Sequence, residues 1–337
     1  MSGISETNGT KGMNGIICIY KEQGYTSFDV VAIMRKICGT KKIGHGGTLD
    51  PMAEGVLPIF VGNATKAVDF CPDNSKEYRA GIRFGVTTDT QDFTGKVIAT
   101  SDKLVSRNAQ YALKQKFTGD LLQTPPMYSA VQVDGQRLYD LARKGIEVER
   151  KPRPIRVFSL EFEEFENNTA TALISCSKGT YIRTLIHDMG VETGTGAVMT
   201  SLVRTRSGNF SLRDCYRLSE VKEAYEKGGT EAVEKLLIPI DMIFKGFPEA
   251  RLDAAQTRMF LNGVVLDAHR VSLEREYDGP YRILSEWGEL LAIGRIGESG
   301  DLAAIQRFGV KPPEDEEKKA AKGGLRDISE LKGVRFS

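Results

Sequence analysis

The densest concentration of potential chemistry is the run Gly44-His45-Gly46-Gly47-Thr48-Leu49-Asp50-Pro51-Met52-Ala53-Glu54-Gly55-Val56-Leu57-Pro58. Four glycines and two prolines in fifteen residues argue against a helix or a central strand. They predict an irregular loop whose backbone can approach a ligand closely. Asp50 stands directly before a proline, which biases it toward extended conformations and keeps it out of a helix. A carboxylate presented from a stiff loop suits a nucleophile or a general base. The bland alternative is that Asp50 closes its own loop as an Asx turn, and the residue types alone leave both readings open.

Other chemistries find less support. The five cysteines (Cys18, Cys38, Cys71, Cys176, Cys215) are odd in number, scattered and without a CxxC pair, which points to free thiols. The three histidines, His45, His187 and His269, have no metal-ligand spacing, so no metal is expected. A carboxylate-pair glycosidase would need a second acid in a comparable loop, and none stands out. The net charge of +1 says nothing of nucleic acid, but local counts differ from the total. Residues 137–156 hold seven basic side chains (Arg137, Arg143, Lys144, Arg150, Lys151, Arg153, Arg156) against three acidic ones, and Arg204, Arg206 and Arg213 form a second cluster. Such runs permit a polyanionic partner or simply a solvated face.

The elements that must position these groups are legible in outline. Residues 1–12 read as disordered and 15–20 as a short buried strand. Thr26 and Asp29 have capping-box spacing ahead of an apolar helical stripe that ends near Gly39. Alternation at 78–84, 157–165 and 169–177 predicts strands with one covered face, and helical patterns fall at about 106–118, 136–144, 182–189 and 217–237. Strands and helices out of strict alternation favour an α+β fold. A break near Gly246-Phe247-Pro248 separates a small β-rich module, with one helix at 252–263. The resulting plan is a catalytic domain at 13–247, a module at 248–310 and a charged mobile tail at 311–337. No apolar run is long enough to span a bilayer, and the N-terminus lacks a basic region followed by an apolar one, so a cytoplasmic location is expected.

The segment GHGGTLDPMAEGVLP resembles the catalytic-loop motif of the TruB family of pseudouridine synthases, GHxGxLDPxAxGVLP. Further segments resemble the same family in order: Lys76-Glu77-Tyr78-Arg79-Ala80, Thr87-Thr88-Asp89-Thr90-Gln91-Asp92, Gln123-Thr124-Pro125-Pro126-Met127-Tyr128-Ser129-Ala130, Cys176-Ser177-Lys178-Gly179-Thr180-Tyr181-Ile182-Arg183-Thr184-Leu185 and Leu202-Val203-Arg204-Thr205. The resemblance runs from about residue 15 to about 244. The chain departs from the pattern at Glu22, where the family usually has proline, and at Gly46 and Glu54.

What the resemblance implies is specific. The fold would be a mixed, mainly antiparallel sheet flanked by helices, followed by a small β-barrel-like PUA module that binds RNA. The enzyme would be the bacterial stand-alone kind, isomerising uridine 55 in the T loop of tRNA after flipping the base out of its stack. Asp50 would be the catalytic carboxylate, and Arg183 would pair with it, fixing its orientation and lowering its pKa. Tyr78 would stack on the base, Tyr181 and Leu202 would wall the pocket, and His45 would fill the space the base leaves. A thumb insertion at about 124–153 would grip phosphates, with Lys21, Arg143, Lys144, Arg150, Lys151, Arg153 and Arg204 as the RNA-binding cations. No cofactor or metal is implied, tRNA is the expected partner, and a monomer is the expected state. Two competitors are a non-catalytic tRNA-binding or folding protein and a guide-RNA-dependent synthase.

Overall fold

A computed structural model describes residues 12–309, with Ala130 and Asp134 excepted. The expected N-terminal and C-terminal tails therefore lie almost wholly outside the described residues. The chain divides into two compact units, Met1–Ile238 and Pro239–Ser337.

In the first unit a ten-stranded sheet carries the site. We number its main strands β1 (Gly15–Lys21), β2 (Ile43–His45), β3 (Glu54–Val61), β4 (Lys76–Phe84), β5 (Gly119–Gln123), β6 (Arg153–Glu166), β7 (Thr169–Cys176), β8 (Ala197–Ser207) and β9 (Cys215–Arg217). The two-residue strand Phe210–Ser211 completes the set. The path runs β9-β1-β3-β8-β4-β7-β6-β5, with β2 added to β3. Pairing is antiparallel except for β1–β9 and β3–β8. The fold is thus α+β with a mixed, mainly antiparallel sheet, as the sequence predicts. Alternation explains β4, where Tyr78, Ala80, Ile82 and Phe84 point into the core and Arg79 and Arg83 point out.

Helix α1 (Ser27–Ile37) begins where the capping box places it: the Thr26 hydroxyl accepts from the Asp29 N–H at 3.0 Å, and Asp29 accepts from the Thr26 N–H at 2.8 Å. It lays Val30, Val31, Met34 and Ile37 on the core. Helix α2 (Ile182–Thr193) buries most of its first two turns. Helix α3 (Leu218–Glu234) is broken at Gly228 and Gly229, the latter at φ 62°, inside what periodicity reads as one helix.

One expectation fails. The glycine- and proline-rich run is not irregular throughout, because 54–58 forms the first five of the eight residues of β3, an interior strand. Proline is tolerated there because β3 is paired discontinuously on one side: β8 covers only Glu54 and Gly55, and β2 begins at Ile59. Pro58 falls in the gap between them.

The second unit is a curled six-stranded sheet in the order Leu266–Asp267, Asp301–Arg307, Leu290–Ile296, Tyr281–Leu284, Glu249–Arg251, Ser272–Leu273. Its core includes Phe260, Tyr281, Ile283, Leu291 and Leu302. The helix expected at 252–263 is Ala254–Leu261, capped by Asp253. No helix among the described residues is long and apolar enough to cross a membrane.

Candidate active site

Asp50 lies on the irregular stretch between β2 and β3, and that stretch is fixed from three directions. From α1, the Ser27 hydroxyl accepts from the Leu49 N–H at 2.8 Å and donates to the Leu49 carbonyl at 3.2 Å. From the end of β1, the Pro51 carbonyl accepts from the Gly24 N–H at 2.9 Å and from Lys21 Nζ at 3.4 Å. From β8, the Arg204 guanidinium donates to the carbonyls of Val56 (2.7 Å), Gly47 (3.1 Å) and Thr48 (3.4 Å). Arg204 thereby serves as a strand partner where β3 has none. Gly55 sits at φ +103°, and a Cβ there would lie 2.2 Å from the Arg204 carbonyl oxygen, so only glycine lets the loop rejoin the sheet.

Sequence positions 50 and 183 meet: Arg183 Nη2 lies 3.1 Å from Asp50 Oδ2 and 3.3 Å from Oδ1. Arg183 comes from the first turn of α2, whose start is set by Tyr181 with its backbone clasped by Gln123 (N–H to Oε1 2.8 Å, Nε2 to carbonyl 3.0 Å). The same Nη2 donates to the Tyr128 carbonyl at 2.6 Å, and Nη1 lies 3.7 Å from Asp92, a buried carboxylate. Asp92 is a site residue that sequence reasoning does not single out. It sits in one of the segments carrying the family resemblance, but nothing local tells which carboxylate of Asp89 and Asp92 turns inward. What turns it is a knot of bonds from Thr90, Thr94 and the Thr94 N–H to its Oδ1.

The expected pull of Arg183 on the Asp50 pKa is present but is outweighed. Arg183 does pull the Asp50 pKa down, but burial pushes it up more strongly and Asp92 adds to the rise, so the net shift is upward. About a third (35%) of the Asp50 side chain stays accessible, although protein surrounds it on most sides. The site is therefore an ionisable group in a recess that is partly open to solvent, oriented by a guanidinium that two carboxylates share.

The structure places the other predicted site residues around this pair. Tyr78 on β4 stands opposite Arg204 in the sheet and is buried, and burial pushes its pKa up. Leu202 on β8 pairs with Ala80 and shares a hydrophobic cluster with Leu49, Met52 and Tyr78. Tyr181 is half-buried at the head of α2. His45 ends β2, and its Nδ1 accepts from the Gly47 N–H at 3.3 Å. Burial and Arg204 push the His45 pKa below its ordinary value, which makes it the neutral imidazole near pH 7.

The predicted RNA-binding cations separate into two groups. Lys21 and Arg204 are fully buried and bound to backbone carbonyls; Lys21 donates to Tyr25 (2.7 Å) and Glu22 (3.2 Å) as well as Pro51. They build the loop and face no solvent, which corrects their assignment as phosphate ligands. Arg143, Lys144, Lys151 and Arg153 are exposed. Arg143 and Lys144 line an open recess with Arg137 and Asp140, between the hairpin Gln132–Val133/Gln136–Arg137 and the helix Leu138–Arg143. Arg150 lies between the two groups, half-buried, donating to the Pro125 carbonyl (3.2 Å) and paired with Glu147 (3.1 Å). Among the described residues no cluster of three or more metal-ligating side chains occurs.

Residues 35–182 match the TruB family pseudouridylate synthase N-terminal domain, and residues 183–245 match the tRNA pseudouridylate synthase B C-terminal domain. The tRNA pseudouridine synthase B of Clostridium tetani is 43% identical over 290 residues, covering 86% of this chain and 97% of that protein. Its counterpart in Clostridium perfringens is 40% identical over 291 residues, with the same coverage. Among solved structures, a chain of a Cbf5-Nop10-Gar1 complex superposes with a TM-score of 0.66 at 26% identity, covering 90% of this chain and 91% of that one.

Proposed function

The chain belongs to the TruB family of pseudouridylate synthases, and from that premise we propose that it isomerises uridine 55 in the T loop of tRNA, with Asp50 as the essential carboxylate. The observation that carries the reading is the pinned Asp50–Arg183 pair, with 3.1 Å between carboxylate and guanidinium, in a recess that still reaches solvent. The reaction breaks the bond from ribose to uracil N1, turns the base within the pocket and re-forms the link at carbon 5. Atoms and oxidation state are conserved. Asp50 either attacks the ribose or takes a proton from it, and both routes require an ionised, oriented carboxylate.

A uridine inside a folded T loop must be extruded, at a cost of a few kcal/mol for unstacking. Tyr78 and Leu202 would receive the base, Tyr181 would close the pocket, and His45, as a neutral ring, would occupy the vacated stack. The exposed thumb cations would grip phosphates of the T arm, and the second unit would act as a PUA-like RNA-binding module. We read the enzyme as a monomer acting in the cytoplasm.

The test is incubation of the purified protein with unmodified tRNA transcript, without guide RNA, metal or nucleotide, and mapping of pseudouridine by chemical adduct and primer extension. One new pseudouridine at the T-loop position, absent with Asp50→Asn, is the expected result. Tight tRNA binding without modification by either protein would overturn it in favour of a non-catalytic RNA-binding role.

A further inference from the structure

Glu22 and Glu54 lie 32 residues apart in sequence yet belong to one side-chain network. Tyr20 Oη donates to Glu54 Oε2 at 2.7 Å. The Arg217 guanidinium lies 5.4 Å from the centroid of the Tyr20 ring, and its Nη1 reaches Glu22 Oε1 at 2.7 Å. Sheet register explains the assembly. Tyr20 pairs with Val56 on β3 and with Arg217 on β9. Glu54, two residues before Val56, is the diagonal neighbour on the same face, within reach of a long aromatic side chain.

The location of this network matters more than its strength. The β1–β3 ladder ends at Lys21↔Gly55, so Glu54, the first residue of β3, lies just beyond it, where the irregular stretch carrying Asp50 joins the sheet. On its other side Glu54 is held only by the end of a two-residue pairing with β8. A tight turn, Ala53 N–H to the Asp50 carbonyl at 3.0 Å, connects Glu54 to Asp50. A displacement at Glu54 would pass through that turn to the carboxylate. Lys21, the β1 partner of Gly55, donates to the Pro51 carbonyl at 3.4 Å.

We propose that Tyr20 and Glu54, clamped by Arg217 and Glu22, form a brace that fixes where the catalytic stretch re-enters the sheet, making Tyr20 and Glu54 positioning residues for Asp50. The brace touches neither substrate nor reacting atoms and acts through the 50–53 turn. It rests on the reading of Asp50 as the catalytic group.

The experiment measures single-turnover pseudouridine formation at saturating enzyme, tRNA Kd by filter binding, and Tm, for the full chain and for Tyr20→Phe, Glu54→Ala, Glu54→Gln and Tyr20→Phe/Glu54→Ala. A wild-type protein that forms no pseudouridine defeats the functional reading itself, before the variants are considered. With an active wild type, Tyr20→Phe and Glu54→Ala are each expected to slow the reaction about tenfold, since small misplacements of a reacting group cost factors of this kind. The Kd should stay within about twofold, the double variant should be no slower than either single one, and Glu54→Gln, whose amide oxygen still accepts from Tyr20, should recover most of the rate. Rates within about twofold of wild type for both single variants, or losses that multiply in the double variant, overturn the brace. So does a loss carried in Kd with the saturated rate unchanged. Tyr20→Phe removes one hydroxyl at a half-buried site, so it keeps the test decisive if Glu54→Ala fails to fold.

Discussion

The catalytic stretch at 44–58 and the thumb at 124–153 both carry the family resemblance and both depend on cations, but they use them in opposite ways. Around the catalytic stretch the cations face inward. Arg204 and Lys21 direct their donors at backbone carbonyls. In the thumb Arg143, Lys144, Lys151 and Arg153 face outward, and the segment is held by the buried Leu138 and Leu141, by Arg150 on the Pro125 carbonyl, and by two backbone bonds, Leu138 N–H to the Val131 carbonyl and Tyr139 N–H to the Ser129 carbonyl. A guanidinium enclosed by carbonyls gives positional precision, because moving the loop leaves a buried charge unsatisfied. A guanidinium in water gives salt-dependent affinity and little precision. The two regions meet at one atom, Arg183 Nη2, which holds both Asp50 and the Tyr128 carbonyl at the root of the thumb.

The strongest way to break the contrast is Arg204→Leu. It removes donors to three carbonyls and leaves them buried, which costs on the order of 3 kcal/mol. In a unit of this size that corresponds to a Tm lower by roughly 6–12 °C, with activity abolished alongside. Thermal unfolding and single-turnover assays check it. A variant with wild-type Tm and only weakened, less salt-dependent tRNA binding would make Arg204 a phosphate ligand after all, and the contrast would fall.

Next in size is the thumb. The triple variant Arg143→Ala/Lys144→Ala/Lys151→Ala should weaken tRNA binding by about ten- to a hundredfold at physiological salt. It should also flatten the plot of log affinity against log salt by about one unit for each phosphate that the thumb no longer neutralises. The single-turnover rate at saturation should hold and the Tm should scarcely move, since these side chains are exposed. Filter binding across a salt series reads the slope. An unchanged slope with a slower chemical step would show that thumb cations act on the site through Arg183 and Tyr128, not on phosphates.

Why this division is only half legible in the sequence follows from the same physics. The motif exposes Asp50 and Arg183, and periodicity exposes β1, β4 and α1, because those signals are local or carried by residue order. Burial of Arg204 and Lys21 is not local: it depends on the catalytic stretch folding over β8 and the end of β1, partners separated by roughly 150 and 30 residues. A lysine or arginine in a sequence therefore reads as surface, and these two are no exception. Asp92 escapes notice for a related reason, since its inward turn depends on threonines that look like ordinary loop residues. Pro58 misleads because its tolerance depends on a gap between two partners of β3 that arrive from opposite directions in the chain.

The smallest expected effect concerns charge at the shared guanidinium and has a definite sign. Burial, opposed by Arg183 and reinforced by Asp92, raises the Asp50 pKa above 3.8. As pH falls through the raised value Asp50 takes up a proton and activity disappears, so the acid limb of the pH–rate profile should have its midpoint above that of an ordinary carboxylate. Asp92→Asn removes one of the groups that raise it, and the limb should move toward lower pH. The stability sign runs the other way. The folded state holds this proton more tightly than the unfolded state, so ionisation of Asp50 lowers stability as pH rises from 3.8 through the raised pKa. Asp50→Asn, which cannot ionise, should consequently be at least as stable as wild type at pH 7 while inactive. Were the Asp92→Asn limb to move to higher pH instead, the role of Asp92 would lie in steering Arg183 onto Asp50, and the charge balance at the guanidinium would be secondary to its geometry.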